Sequence, residues 1–292
     1  MFKSGYVSII GRVSVGKSTF LNTVLGEKVS IVSVKPQTTR NQILGIKSES
    51  DYQMIFIDTP GIHKPKHKLG DVLSKEALSA LSFSDVVLYM VDKEYSYAED
   101  YVIRHLHDLE APVLLVINKI DLLKSKMAID KVILSYMDKF PFKGVYPISS
   151  KNDTHIEHLL AGIKDCLQAG QPYYETSTLT TQSDFMRMSE IIREKVLYYT
   201  KEEVPHAVAV IIEYAQMEDE QYTVYASIIV ERASQKSILI GKQGQMLKQI
   251  GTDARKDINE ILNTQIHLNL YVKVKKDWRN NPRDITQFGY GN

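Results

Sequence analysis

Through the first 170 residues, short apolar runs alternate with longer stretches in which apolar positions recur every three or four residues. The runs Tyr6–Ile10, Gln53–Ile57, Asp85–Val91, Val113–Ile117 and Gly144–Ile148 read as strands. The stretches Lys17–Leu25, Lys68–Leu81, Ala98–Leu109, Ala128–Asp138 and His155–Gln168 read as helices. Strands alternating with helices predict parallel crossovers, and so a mixed α/β sheet with helices on both faces. One pair breaks the rule. Ile43–Ser48 and Asp51–Ile57 are separated by Glu49-Ser50 alone, short enough for an antiparallel hairpin at a sheet edge.

The pattern changes after Leu167. Residues 169–184 are rich in Thr, Ser and Gln without apolar periodicity and read as a linker, partly ordered by Tyr173 and Tyr174. A helix (Phe185–Thr200), a hairpin (His206–Met217 and Tyr222–Val230, turning at Glu218-Asp219-Glu220), two helices (Gln235–Ile240 and Gln245–Leu262) and a strand (Ile266–Lys275) follow. The expected division is a nucleotide-binding domain over 1–170, a linker over 171–184 and a smaller α+β domain with a C-terminal tail over 185–292. Two domains also suit 292 residues at roughly 150 per domain.

Composition narrows the class. With 43% hydrophobic and 24% charged residues, the chain is neither collagen-like nor disordered. Lys+Arg number 36 against 35 Asp+Glu, so any affinity for nucleic acid must come from uneven placement. That placement exists: residues 232–276 carry nine Lys/Arg and three Asp/Glu. A single cysteine, Cys166, excludes an internal disulfide framework, fits a reducing compartment and reads as a small core residue. No run reaches the ~20 apolar residues of a membrane span, and the N-terminus enters a strand almost at once, so a soluble cytoplasmic protein is expected.

The chemistry sits where strands end. Gly11-Arg-Val-Ser-Val-Gly16-Lys17-Ser18 fits G-x-x-x-x-G-K-[ST] between a strand and a helix. Gly11, Ser14, Gly16, Ser18 and Thr19 would wrap a phosphate with backbone amides, Lys17 would reach the β/γ oxygens, and the Ser18 hydroxyl would bind Mg²⁺. Asp58-Thr59-Pro60-Gly61 ends another strand, with Asp58 toward Mg²⁺ and the Gly61 amide toward the γ-phosphate. Asn118-Lys119-Ile120-Asp121 follows a third: the Asp121 carboxylate can accept from guanine N1–H and its exocyclic amine, a pairing adenine cannot offer. In the Ser149-Ser150-Lys151 loop a backbone amide can meet guanine O6. In this order, each at a strand's C-terminal end, these segments predict an enzyme that hydrolyses GTP to GDP and phosphate.

Several longer segments are more specific than the nucleotide motifs. They are Pro36-Gln-Thr-Thr-Arg40, Asp58 through His63-Lys-Pro-Lys-His-Lys-Leu-Gly70, Glu190-Ile-Ile-Arg-Glu-Lys195, Val204-Pro-His206, Glu231-Arg232 with Ser234-Gln-Lys236, and Val272 through Trp278-Arg279. Along nearly its whole length the chain resembles the Era family, bacterial GTPases of small-ribosomal-subunit assembly. The resemblance implies a P-loop GTPase domain followed by a type II KH domain. It implies GTP/GDP and Mg²⁺ as ligands, with Ser18, Thr39 and Asp58 at the metal and Lys17, Thr39 and Gly61 in catalysis; Thr38 is the alternative to Thr39. Its implied partners are the 3′ end of 16S rRNA and the 30S subunit, for a monomeric protein that is cytoplasmic or peripheral at the inner face of the membrane; the sequence itself shows no amphipathic anchor. Ile62 stands where many GTPases carry a water-orienting Gln, which implies slow intrinsic turnover. The family usually has Pro-Asn where this chain has Val13-Ser14, and that Asn is associated with a K⁺ ion. Ser14 has a shorter reach, which leaves K⁺ open. Ser150 replaces the usual Ala.

Gly241-Lys242-Gln243-Gly244 between two helices looks like the GXXG loop of a KH domain, where small residues let a nucleic-acid backbone approach. Lys236, Ile240, Gly241, Lys242, Gln243, Gly244, Lys248 and Arg255 are the RNA-binding candidates, with Ile238, Leu239 and Ile240 as the groove's apolar wall. Trp278 either plugs the core or stacks on a base. His63 and His67, with Lys64, Lys66 and Lys68, read as a switch segment ordered by γ-phosphate, not a metal cluster. The competing reading is an RNA-binding module with a silent GTPase domain; a P-loop phosphotransferase is weaker, because NKID has no role in a kinase.

Overall fold

The structure, a computed structural model, describes every residue except Pro36, His63, Lys64, Lys66, Asp219, Glu220 and Asn292, together with the backbone alone of Glu218 and Gln221. Pro36 of the Pro36–Arg40 motif, the His63, Lys64 and Lys66 of the switch segment, and two residues of the acidic turn therefore lie outside the described residues. By its contacts the chain forms two compact units. The first comprises Met1–Ser30, Thr39–Lys66 and Gly70–Thr181, the second Ile31–Thr38, His67–Leu69 and Gln182–Asn292.

The first unit runs β1 (Lys3–Ile10), α1 (Lys17–Leu25), β2 (Ile43–Ser48), β3 (Tyr52–Asp58), α2 (Lys68–Ser79, its first residues in the second unit), β4 (Val86–Val91), α3 (Asp100–Leu106), β5 (Val113–Ile117), α4 (Lys126–Met137), β6 (Gly144–Pro147) and α5 (Ile156–Cys166). Among the described residues these strands make a six-stranded sheet in the order β2-β3-β1-β4-β5-β6. Only β2 is antiparallel, at the edge, as its short connection to β3 requires. Every residue of β4 and β5 is buried, the mark of strands covered on both faces. Successive residues feed different cores. Val7, Ile9, Leu88 and Met90 pack with α1 and α5, while Ile10, Val87, Tyr89 and Val91 pack with α2, α3 and α4. Register places Asp58 beside Ile9, and Ile117 beside Val91 and Pro147, so the loops after β1, β3, β4, β5 and β6 share one end of the sheet.

Two expected helices are shorter than their periodicity. Residues 80–83 tighten into a 3₁₀ turn in which Ser84 Oγ donates to the Ala80 carbonyl at 2.6 Å and Ser82 Oγ to that of Ser79 at 2.8 Å, serines taking carbonyls that an α-helix would use. Residues 97–99 do the same, and Glu99 is turned inward to receive the Tyr89 hydroxyl at 2.7 Å. The stretch after Leu167 is not free chain. Buried Gln53 accepts the Tyr173 and Tyr174 amides at 2.7 and 3.0 Å and donates to the Tyr174 carbonyl at 2.9 Å, and Thr180 bridges to Gly45.

The second unit contains α6 (Asp184–Tyr199), capped by Ser183, then α7 (Val204–Ala207), β7 (Ala209–Glu218), β8 (Gln221–Val230), α8 (Ala233–Ile240), α9 (Gln245–Ile261), β9 (Ile266–Val274) and α10 (Pro282–Gln287). Its sheet is ordered β7-β8-β9, with β7 antiparallel and β9 parallel to β8. Inward residues Val224, Ala226, Ile228 and Val230 meet Ile192 and Val196 of α6, Leu239 of α8, and Ile250, Ala254 and Ile258 of α9. Ile31 belongs to this core. Its neighbour Val32 donates its amide to Glu194 Oε1 at 2.9 Å, and fully buried Arg193, paired with Glu190, donates to the Thr38 carbonyl. Trp278 is fully buried and its indole nitrogen donates to the Ala207 carbonyl at 2.9 Å, so it plugs the fold and is closed to a base. Helix α10 was not anticipated; the Asn281-Pro282 pair, an N-cap followed by proline at the first helical position, is its sequence signal.

Candidate functional site

Gly16 opens α1 with φ 103°, and a Cβ there would lie 2.3 Å from Asn118 Nδ2, so both the backbone turn and the space demand glycine. At Gly11 a Cβ would lie 2.2 Å from the Met90 carbonyl. Lys17, 6% exposed, is folded back over this loop, donating to the carbonyls of Gly11 at 3.3 Å and Arg12 at 3.1 Å. Burial pushes its pKa down to about 8, against the opposing pull of Asp58. No carboxylate among the described residues pairs with this ammonium, so an anionic ligand fits it.

Ser18, Thr39 and Asp58 meet. Ser18 Oγ donates to Asp58 Oδ2 at 2.6 Å and lies 2.8 Å from Thr39 Oγ1; Ser30 Oγ, which the sequence did not single out, donates to the same carboxylate oxygen at 3.0 Å. Asp58 Oδ1 is buried and has no hydrogen-bond partner. Burial raises the Asp58 pKa, and Lys17 and the three hydroxyls oppose it. A carboxylate oxygen without a partner beside two hydroxyl oxygens suits a hard divalent cation. The Thr38 hydroxyl donates instead to the Lys35 carbonyl at 2.6 Å. Thr59 Oγ1 donates to the Ile9 carbonyl at 2.8 Å, Pro60 is buried, and a Cβ on Gly61 would lie 2.6 Å from Val13. Thr19 lies in the first turn of α1, and its carbonyl accepts from the Thr23 hydroxyl at 2.9 Å.

On the opposite side Asn118 acts as a strut. Its Nδ2 donates to the Val15 carbonyl at 3.0 Å, and its Oδ1 accepts from Lys119 N at 2.8 Å, Ser150 N at 3.0 Å and Ser150 Oγ at 2.9 Å. The Ser150 amide thus donates to Asn118, and Ser149 N to the Thr154 carbonyl. Lys119, at φ 61°, reaches across to the Ser14 carbonyl and to Asp92, both at 2.6 Å. Asp92 was missed; its signal is a carboxylate directly after the buried run of β4. Asp121 accepts from Ser149 Oγ at 2.5 Å through one oxygen, and the residue is exposed. Asp121→Asn should therefore weaken GTP binding by about a thousandfold and favour xanthosine triphosphate, whose 2-carbonyl accepts from an amide; displacement of a fluorescent GTP analogue measures both.

In the second unit the loop between α8 and α9 holds Gly241 at φ 69°, Gln243 at φ 51° and Gly244 at φ 78°, with Lys242 and Gln243 exposed. Behind it lies a groove of about 480 Å³ that joins Gly244, Lys248 and Arg255 with Leu247, Gly251, Leu268 and others. Lys236 and Ile240, on α8, do not line it. Leu239 cannot be its wall, because it is fully buried in the core; the apolar wall is built by Leu247, Leu268 and Leu270. The missed residues, Leu247, Gly251, Thr252, Leu268 and Leu270, carry a readable signal: the first three recur at helical spacing with the expected Gly244, Lys248 and Arg255, and 268 and 270 share strand spacing.

A family model described as 50S ribosome-binding GTPase matches residues 6–119, and one described as KH domain matches 203–279. The GTPase Era of Lacticaseibacillus paracasei is 47% identical over 292 residues, covering 98% of this chain and 96% of its own. The chain belongs to the Era family of GTPases. Two solved Era structures match it over 100% of both chains at 37% identity. One, with a TM-score of 0.97, is Era in complex with MgGDPNP and nucleotides 1506–1542 of 16S ribosomal RNA; the other, at 0.96, is a variant of Aquifex aeolicus Era bound to GDP and AlF4⁻. In this Era-family chain Ile62 is 1% exposed, packed into the core beneath the loop after β3. No helix among the described residues is long and apolar enough to cross a membrane.

Proposed function

We propose that the chain is a GTP-hydrolysing switch that binds the 3′ end of 16S rRNA and acts in assembly of the 30S subunit. The observation that carries this reading is the meeting of Ser18 and Thr39 at one oxygen of the Asp58 carboxylate, whose other oxygen is buried and without a partner, in a chain that matches Era throughout. In this reading the amides of the 11–18 loop and the N-terminus of α1 hold the phosphates. Ser18, Thr39 and Asp58 would hold Mg²⁺, which neutralises charge on the β- and γ-phosphate oxygens. Lys17 gives its ammonium to the same oxygens, and the Gly61 amide turns toward the γ-phosphate. Asp121 and the Lys151 amide select guanine, while Asn118 and Lys119 brace the phosphate loop. With Ile62 buried, no side-chain amide at that position orients the attacking water, and intrinsic turnover is slow. The loop at 241–244 and its groove, with Lys248 and Arg255, take the RNA; Lys236 acts at longer range. The protein works as a cytoplasmic monomer; peripheral attachment at the inner membrane face is the alternative that the family resemblance implies.

GTP hydrolysis by the purified full-length chain, with and without an oligonucleotide matching the 3′ end of 16S rRNA, tests this. RNA should raise turnover. Undetectable turnover in every condition, with tight RNA binding retained, would overturn the switch in favour of an RNA-binding module. Parallel runs in KCl and NaCl decide whether Ser14 still supports a K⁺ site; equal rates remove K⁺ from the cofactors.

A further inference from the structure

The sheet of the second unit has one face in the core and another that is partly open. Side chains alternate across a strand, and Val224, Ala226 and Ile228 point inward, so Tyr225 and Ser227 lie on the other face, where Ser227 is itself covered and Tyr225 is half-buried. Register then places Tyr214 of β7 beside Tyr225, and Asn269 and Tyr271 of β9 beside Tyr225 and Ser227. The outward half of this face carries three tyrosines. Tyr214 is 49% and Tyr271 52% exposed, and the Tyr214 and Tyr225 rings stack at 4.4 Å with planes 20° apart. A stacked cross-strand pair is an ordinary stabiliser of a sheet. Tyr271 has no ring partner among the described residues, however, and it stands half open beside exposed Lys273, whose ammonium is 2.7 Å from Glu213.

Position decides what such a face would take. β9 is one of the two edge strands, and the one that borders the groove: Leu268 and Leu270 line the groove, while His267, Asn269, Tyr271 and Lys273 alternate with them on the outer face. A KH groove clamps about four nucleotides, and the RNA in the related Era complex, nucleotides 1506–1542, is far longer. A chain leaving the groove over β9 meets no further strand before the tyrosines. Aromatic rings on an open sheet face stack bases without regard to sequence.

We propose that the outer face of β7-β8-β9, centred on Tyr271 with Tyr225 and Tyr214, is a second single-stranded RNA site that stacks the bases flanking those in the groove. It rests on the RNA-binding reading of this unit, and the test separates the two. The full-length chain is titrated with a labelled RNA of about five nucleotides, enough for the groove, and with one of roughly 20 nucleotides that contains the same segment. Tyr271→Ala, alone and with Tyr214→Ala, should weaken the longer RNA about tenfold per tyrosine and leave the shorter one unchanged. Tyr271→Phe, which keeps the ring, should bind both as the parent does. Equal affinity of parent and Tyr271→Ala for the longer RNA overturns the proposal and assigns the face to a protein partner or to none. Equal losses on both RNAs also overturn it, because they place Tyr271 in the groove's own function. If the short RNA fails to bind while the long one binds and depends on Tyr271, the groove reading falls and this site stands; if neither RNA binds, both fall.

Discussion

Lys17→Met lowers GTP turnover by roughly a thousandfold, the scale of losing a preorganised charge at a developing phosphoryl centre. Methionine keeps most of the stem that packs over the phosphate loop and removes only the ammonium. The lysine's surroundings make the experiment clean. It bonds two carbonyls, its charge is desolvated, and burial already lowers its pKa to about 8. An ammonium so placed is held for a ligand at some cost to the empty protein, so the variant should melt no lower than the parent while phosphate release, followed in single-turnover reactions, collapses. Retention of more than about a tenth of the parent rate would remove Lys17 from the catalytic machinery.

The second large effect is expected at the loop between α8 and α9. Lys242→Asp with Gln243→Asp puts two carboxylates where an RNA phosphate must pass, and affinity should fall about a hundredfold, measured by fluorescence anisotropy at low salt. Both side chains are exposed, and aspartate tolerates the left-handed backbone that Gln243 adopts at φ 51°. The fold should therefore survive, and basal GTP turnover without RNA should not change. Because the effect is electrostatic, the gap between variant and parent should narrow as salt rises. Unchanged affinity at low salt would move the RNA site off this loop.

Much of this was readable before the structure because local rules and global fold agree. The apolar runs of β4 and β5 are too short for helices and too uniform for a half-exposed sheet, so their burial on two faces follows. The phosphate loop is legible because its chemistry needs consecutive residues. What the sequence hid is contact between distant segments. Ser30 reaches Asp58, and Lys119 bridges Ser14 and Asp92, with no spacing rule to announce either. Gln53 reads as one polar residue at a strand's start, yet it anchors the chain at 173–174, which composition alone makes look loose. Leu239 shows the opposite error: in an apolar triplet beside GKQG, composition cannot tell the side chain that faces a ligand from the one that faces the core. Helix phase decides, and α8 is too short for its phase to be read unaided.

The backbone passes between the two units several times before it reaches the stretch at 171–181, because Ile31–Thr38 belongs with the later half. Ile31 contributes a buried side chain there, of a kind that stabilises by about 1.5–3 kcal/mol, and the Val32 amide and Thr38 carbonyl are taken by Glu194 and Arg193. Severing the chain at residue 181 would consequently not yield two self-sufficient pieces. The front piece would carry an eight-residue loop stripped of its packing, and the back piece a core with one side chain missing and a buried arginine short of an acceptor. The second unit is continuous in space where it is discontinuous in sequence, so its fold draws on residues that a cut at 181 would assign to the other piece.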